Sequence, residues 1–478
     1  MTQIDIQLPD GFGTIAEYAA EIKRAFAKYS SFPNMHIVDF FVTGFWQQLP
    51  ADWQEYLEQV EVTGLVAMAS TGQVDASAPE SLRSYVKDMF RLRLNYQGPL
   101  IAAAAAAADS EQGELWYFLE GMNPKKRVEV QLLSQLVSTV AKESQCSLVV
   151  DVGAGQGYLS RVLAYSSYSL PVLAIDSSPK QQRGAESMQR RTIKRLQGSR
   201  AAQHGFKWEA GRAQQLQHTV MHVGLDRTGE LAATAHSRAA GGRWMLCGLH
   251  ACGDLSSAVL KTFVESDAAA VAVVPCCYNH ISETRQGTAA GFPLSREMHG
   301  IRLGQNALKT ACQATSRWDS CPEATLAAFR RNHFRALLHY LMVAHGQVAP
   351  DAMAPAVGKV TNTELQAAKV SVDASSDEIA FTTYVLAALT KLNHAWRPTA
   401  EQCVECYREH GTGLQQIAAA WTLKSLAGPL VECMLVVDRA MYLAEHCRGS
   451  GRVSAFALFD PVTSPRNVVL VAQRGDNA

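Results

Sequence analysis

Residues 151–157 read Asp-Val-Gly-Ala-Gly-Gln-Gly, directly after an unbroken apolar run at 146–150 and directly before a helical pattern at 158–165. Glycine turns the chain through positive φ and lets a ligand approach the backbone. The following helix start presents free N–H groups. A strand, a glycine loop and a helix in that order constrain the fold to an α/β sheet with a ligand crevice at its strand ends. In a dinucleotide site the free N–H groups meet a pyrophosphate. Here Asp151 opens the loop, and a carboxylate suits a cationic amino-acid ligand better than a phosphate. Asp176 closes the next strand, where an acidic side chain can accept both hydroxyls of a ribose. The pair is consistent with S-adenosylmethionine. A bare turn without ligand and an NAD site are the competing readings of the loop alone.

The flanking pattern extends the sheet. Expected strands fall at 146–150, 171–175, 206–210, 243–248 and 269–274, and expected helices at 126–143, 158–165, 179–196 and 256–265. Short apolar strands alternating with helices argue for parallel strands covered on both faces. Residues 453–459 and 468–473 form two further strands joined by a turn-rich loop, so that pair is antiparallel. The expected fold class is α/β, a Rossmann-like seven-stranded methyltransferase sheet, parallel with an antiparallel C-terminal hairpin, plus an N-terminal helical region. Four spans are expected: helices over 1–120, a methyltransferase core over 121–345, a helical and loop insertion over 346–420, and a closing helix and hairpin over 421–478. Helices near 326–345, 378–393 and 411–446 are expected to pack on the sheet, and 281–300 to form an active-site loop.

Composition narrows the partners. Lys plus Arg and Asp plus Glu number 44 each, so no whole-protein field draws the chain to nucleic acid or membrane. Eleven scattered cysteines and an N-terminus without a basic-then-apolar leader favour reduced thiols in the cytoplasm, with the nucleus as a second location. The alanine run at 101–108 is too short to span a bilayer. Between 180 and 212 nine cations face two carboxylates. That patch could track RNA phosphates, but without interleaved aromatics a solvated helix face is the favoured reading.

Longer matches give the chain a family resemblance. They are Val38-Asp-Phe-Phe41, Leu49-Pro-Ala-Asp-Trp53, Met122-Asn-Pro-Lys-Lys126, Val150 through Ser160, Ile175-Asp-Ser-Ser178, Gly248-Leu-His-Ala-Cys-Gly-Asp-Leu255, Cys276-Cys-Tyr278, Gly291-Phe-Pro-Leu-Ser295, Val436-Val-Asp-Arg439 and Phe459 through Val468. In order and nearly end to end, they resemble the methyltransferase-like protein 25 family. Val128 stands where that family usually has histidine. The resemblance implies S-adenosylmethionine binding without fixing the acceptor. The His-x-Cys-Gly and Cys-Cys segments are also similar to those of a tRNA 2′-O-methyltransferase family.

Candidate residues follow. Cofactor contacts are expected from Asp151, Gly153, Gly155, Gly157, Tyr158, Leu159, Asp176, Ser177, Arg212 and Leu249. His250, Asp254 and Tyr278 are the catalytic candidates, with His250 or Asp254 as base. Lys125, Lys126, Glu129, Cys276, Cys277, Glu283 and Phe292 are expected around the acceptor, the lysine segment and Glu129 through the resemblance. The strand ends carrying His250, Cys252, Cys276 and Cys277 allow three arrangements: an acceptor pocket, a zinc site, or small thiols packed under loops. The first is taken forward, with no metal. The expected activity is methyl transfer to a macromolecule, protein before RNA, with no membrane or DNA partner. A tRNA or rRNA methyltransferase and a non-catalytic scaffold are the alternatives.

Overall fold

The computed structural model describes residues 3–94, 117–118, 120–198, 208–209, 211–284, 289–368, 375–447 and 451–475. Its eight strands are β1 (Gln3–Ile6), β2 (Cys146–Val152), β3 (Val172–Asp176), β4 (Leu216–Val220), β5 (Arg243–Cys252), β6 (Ala270–Cys276), β7 (Arg452–Ala457) and β8 (Val468–Gln473). They form one sheet in the order β1-β7-β8-β6-β5-β2-β3-β4. Strands β2 to β6 are mutually parallel, and β8 runs antiparallel to both β6 and β7. The terminal hairpin is thus inserted so that its second strand meets β6.

Local sequence explains the helices that bracket the sheet. Asn123 accepts the Lys126 N–H at 2.8 Å and Pro124 occupies the first turn, so the helix Pro124–Glu143 starts there. Ser178 and Pro179 repeat the device for Pro179–Leu196. Leu133, Val137, Val162 and Leu163 pack with Val149, Met245, Ala272 and Val471 in one core beneath the sheet. Each such side chain, fully buried, contributes about 1.5–3 kcal/mol. The helices Thr228–Ala239 and Asp254–Glu265 pack on each other and on β2, β5 and β6. Helical cover explains why the central strands read as continuous apolar runs.

Two edge strands differ from expectation. The third parallel strand is Leu216–Val220, not 206–210. Trp208 and Glu209 lie outside any strand, and residues 206, 207 and 210 fall outside the described residues. An edge strand buries little: of Leu-Gln-His-Thr-Val only Leu216 is buried, so its polar residues hide it from an apolar search. The eighth strand, β1, adds to β7 in parallel, with Gln3 opposite Arg452 and Ile6 opposite Ala455.

The chain divides into two compact units, one of residues 1–28, 92–312 and 429–478 that contains the sheet, and one of residues 29–91 and 313–428. This differs from four consecutive spans. The helices Pro322–Ala344 and Ser376–Lys391, expected on the sheet, instead build the second unit's own core around Phe334, Leu337, Leu341, Phe381, Val385 and Leu389. There Tyr85 donates to the Leu423 carbonyl at 2.7 Å, and the buried Lys424 ammonium donates to the Pro33 and Met35 carbonyls at 2.7 Å each. Gly413–His446 is long and apolar enough to cross a membrane, but 83% of its apolar window is buried in protein, as in a core helix.

Candidate active site

The strand order reverses at β2 and β5, with β3 and β4 on one side and β6 on the other. Ligands of open α/β sheets bind at the carboxyl ends of strands flanking such a point. A cavity of about 700 Å³ opens there, within the roughly 300–1,000 Å³ of small-molecule sites. Its wall runs from Gly153, Asp176 and Ser177, through a turn at 221–226, to Cys252, Asp254, Leu255, Ser282 and Ala289.

Backbone geometry shapes the β2–β3 end. Gly153, Gly155 and Gly157 have φ of 77°, 54° and 65°. The Gly153 and Ala154 N–H groups donate to the Ile175 carbonyl at 2.8 and 3.0 Å, tying the loop to β3. One Asp176 oxygen accepts from Gly155 N–H at 2.9 Å and the other from Ser178 N–H at 2.9 Å. Each carboxylate oxygen accepts about two bonds, so Asp176 retains capacity toward the cavity it lines. Asp151 is different. It is 1% exposed, accepts the Ser160 hydroxyl, and is pushed up to about 6, chiefly by burial.

Side chains shape the β5–β6 end, and most are bound to one another. His250 Nε2 lies 3.0 Å from Glu129 Oε1. That fully buried carboxylate also accepts the Ser464 hydroxyl at 2.7 Å and lies 3.5 and 3.1 Å from the Lys125 and Lys126 ammonium groups. Burial alone would raise its pKa. The His250 bond and charge, with Ser464 and Lys126, outweigh burial and hold it at about 2. The thiols of Cys252, Cys276 and Cys277 cluster within 4.8 Å of one another, with Cys252 to Cys276 at 3.0 Å. Cys252 is exposed and its pKa falls to about 6 through its bond to Cys276, whereas Cys276 is raised by that bond and by burial. His250 and Cys277 adopt positive φ, 63° and 49°. Left-handed backbone at non-glycine residues costs about 1–3 kcal/mol and persists where surroundings impose it. Gly253, at φ 55°, joins the two strand ends: an added Cβ would sit 2.5 Å from the His280 carbonyl oxygen.

Residues 125–284 match the family model described as a methyltransferase domain. The probable methyltransferase-like protein 25 of Mus musculus and that of Homo sapiens are each 22% identical to the chain, over 92% of it and 93% and 94% of their own lengths. Over nearly its whole length the chain is similar to these methyltransferase-like proteins. It is a methyltransferase, and its cofactor is S-adenosylmethionine. Among solved structures, coclaurine N-methyltransferase bound to N-methylheliamine and SAH covers 75% of the chain and 96% of its own at 10% identity and a TM-score of 0.22.

The cavity fits that cofactor: a carboxylate with spare acceptor capacity ends β3, a side-chain-free glycine turn lies beside it, and the space continues to the β5 end. Of the residues expected at this methyltransferase's cofactor, Gly153, Asp176 and Ser177 line the cavity. Others sit elsewhere. Asp151 turns inward to Ser160. Leu159 is 3% exposed in the core, and Leu249 packs against that core. Tyr158 donates to the Gly121 carbonyl at 2.8 Å. Arg212 donates to the Ser166 carbonyl at 2.5 Å, past the far end of the helix Tyr158–Tyr165. At the β5–β6 end Asp254 lines the cavity, one oxygen accepting the Ser282 N–H at 2.8 Å. Tyr278 is 1% exposed and donates to Glu432 Oε1 at 3.0 Å, with the Arg466 guanidinium 5.7 Å from its ring centre, so it belongs to the frame. Glu283 accepts the Leu303 and Gly304 N–H groups at 2.6 and 2.9 Å, and Phe292 is fully buried. The turn at 221–226, which lines the cavity with Met221 and Asp226, escaped the sequence reading because the strand before it was placed at 206–210. Gly224 and Asp226 just after an apolar-ended polar run were the available signal.

Proposed function

We propose that the methyl acceptor is a protein, methylated at a nitrogen that is cationic or neutral before transfer. Three carboxylates, Asp176, Asp226 and Asp254, line the cavity, and among the described residues no lysine or arginine lines it. This observation carries the reading. A phosphate backbone threading an acidic mouth meets repulsion, whereas an amine or imidazole meets attraction. The basic helix offers RNA little help in comparison, since Arg191 and Arg195 are paired with Glu120 at 3.0 and 2.5 Å.

S-adenosylmethionine, when bound, supplies an electrophilic methyl group on a sulfonium. Asp176 would accept its ribose hydroxyls, and the turn at Gly153 would let it lie against the backbone. Asp254 spends one oxygen on Ser282. The other would receive the acceptor's N–H and take its proton, so that the nitrogen lone pair gains the methyl group as the carbon–sulfur bond breaks and S-adenosylhomocysteine leaves. Cys252 lines the wall against which the acceptor is placed, and Cys276 and Cys277 back it. A second hollow, of about 840 Å³, shares Ser282 and Ala289 with the first and includes His280, Glu283 and Arg302. It offers room for the residues flanking the acceptor.

Tritiated S-adenosylmethionine and the purified chain, added to lysate from cells lacking the protein, test this. Label removed by protease and absent with Asp176→Ala supports the reading. Label removed by ribonuclease overturns it in favour of an RNA acceptor.

A further inference from the structure

The second unit has a concavity of its own, about 930 Å³ in volume, between the helices Pro322–Ala344 and Ser376–Lys391 and closed by the strap at 358–366. Its walls follow helical spacing. Ala327, Arg331 and Arg335 lie four residues apart on one helix, and Ala380 and Tyr384 four apart on the other. Two kinds of lining alternate. Phe334, Leu365, Ile379 and Tyr384 give an apolar floor, while Arg330, Arg331, Arg335 and Lys359 give four cations. Among the described residues no carboxylate lines the space. Arg330 is paired with Asp377 outside the lining, which leaves Arg331, Arg335 and Lys359 without a counter-charge among the described lining residues.

Two buried polar atoms at this site lack a partner. Tyr384 is 7% exposed and, among the described residues, its hydroxyl finds no hydrogen-bond partner; Arg335 Nε is likewise buried and unbonded among them. Leaving such a group unsatisfied costs about 1–3 kcal/mol. A hydroxyl donor beside a guanidinium donor calls for an acceptor carrying negative charge. The apolar floor calls for a hydrophobic body attached to it.

We infer that the helical unit binds a small amphipathic anion, a carboxylate or phosphate head with an apolar body, in this concavity. The head accepts from Tyr384, Arg335 and Arg331, and the body lies over Phe334, Leu365 and Ile379. This site is separate from the methyl-transfer cavity and stands whether or not the acceptor is a protein.

Fluorescence titration of the full chain with 8-anilinonaphthalene-1-sulfonate, followed by displacement with decanoate, decyl phosphate or decanol, tests it. Decanoate or decyl phosphate displaces the dye at least about 10-fold more effectively than decanol, the value of one charge-assisted bond. The stronger of the two names the head group. Arg331→Gln, at an exposed position that the fold does not need, weakens anion binding several-fold. Tyr384→Phe does so while leaving decanol unchanged. Equal potency of decanol and the anions, or wild-type anion affinity in a folded Arg331→Gln/Arg335→Gln chain, overturns the proposal.

Discussion

The two ends of the cavity are built in opposite ways. At the ends of β2 and β3, backbone does the shaping, and one carboxylate, Asp176, keeps acceptor capacity toward the space. At the ends of β5 and β6, side chains do the shaping and most are already spent on each other: His250 on Glu129, Tyr278 on Glu432, Glu283 on two N–H groups. A polar residue near a strand end is therefore as often frame as reagent. What separates the two is unspent hydrogen-bonding capacity facing the cavity, which Asp176 and Asp254 combine with a place in its wall.

The sharpest way to break this contrast is Asp176→Ala. If the carboxylate receives the ribose, two charge-assisted bonds vanish, about 3 kcal/mol together, and S-adenosylmethionine binds about 100-fold more weakly. The melting temperature changes little, because the residue sits at a strand end outside the core. Calorimetry showing near-wild-type affinity would remove Asp176 from the cofactor.

Next in size is Glu129→Gln. It strips the common counter-charge from His250, Lys125 and Lys126. If the β5 end is a frame, kcat/KM falls about 10-fold or more while cofactor affinity stays within twofold. The variant also loses a pH-dependent contribution to stability. A carboxylate held at about 2 in the fold contributes fully above its ordinary value near 4.5 and loses that contribution as the pH falls through 2. The full contribution is about 3 kcal/mol. Denaturant unfolding between pH 7 and pH 2 should show a shallower acid limb in Glu129→Gln; parallel limbs would mean that Glu129 is not the buried anion of this network.

These cases also show what a reader of the sequence could and could not reach. The loop at 151–157, Asp176 and the positions of the central strands were legible because continuous apolar runs, glycines and a strand-end acid follow from local rules. The edge strands β1 and β4 were not, since a strand that buries one face or less carries no apolar signature. The interleaved second unit was not legible either: its helices at 322–344 and 376–391 have apolar stripes, and a stripe does not say which partner covers it. Asp151 looked like a ligand residue by position, but its role was set by Ser160, nine residues on, whose hydroxyl it accepts. Glu129 drew attention only through a family pattern, and one of its partners, Ser464, lies 335 residues away.

Asp151→Asn sharpens the contrast from the backbone side. Burial pushes this carboxyl up to about 6, so its protonated form is favoured in the fold. The stability it contributes is complete below the unfolded value near 3.8 and is lost as the pH rises through 6. Wild type should therefore lose about 1 kcal/mol, from this residue, between pH 5 and pH 8. Asparagine keeps an oxygen for Ser160 and does not titrate, so the variant should lack that loss and bind cofactor within about twofold of wild type. A large fall in cofactor affinity would restore Asp151 as a direct ligand residue.

The smallest effect is expected from Cys252→Ser. Cys252 is the exposed member of the thiol cluster and lines the cavity, and its bond to Cys276 draws its thiol pKa down, which favours the thiolate. A thiolate at such a place is either a wall or a reagent. Serine preserves the size of the wall and removes the nucleophile. If Asp254 and alignment carry the transfer, turnover changes less than about threefold, and the pH–rate profile keeps its shape, since no thiol titration contributes to it. If turnover instead falls by about 1,000-fold while cofactor affinity holds, the sulfur takes part in bond-making. The β5–β6 end would then be reagent rather than frame, and the opposition between the two ends of the cavity would fail at Cys252.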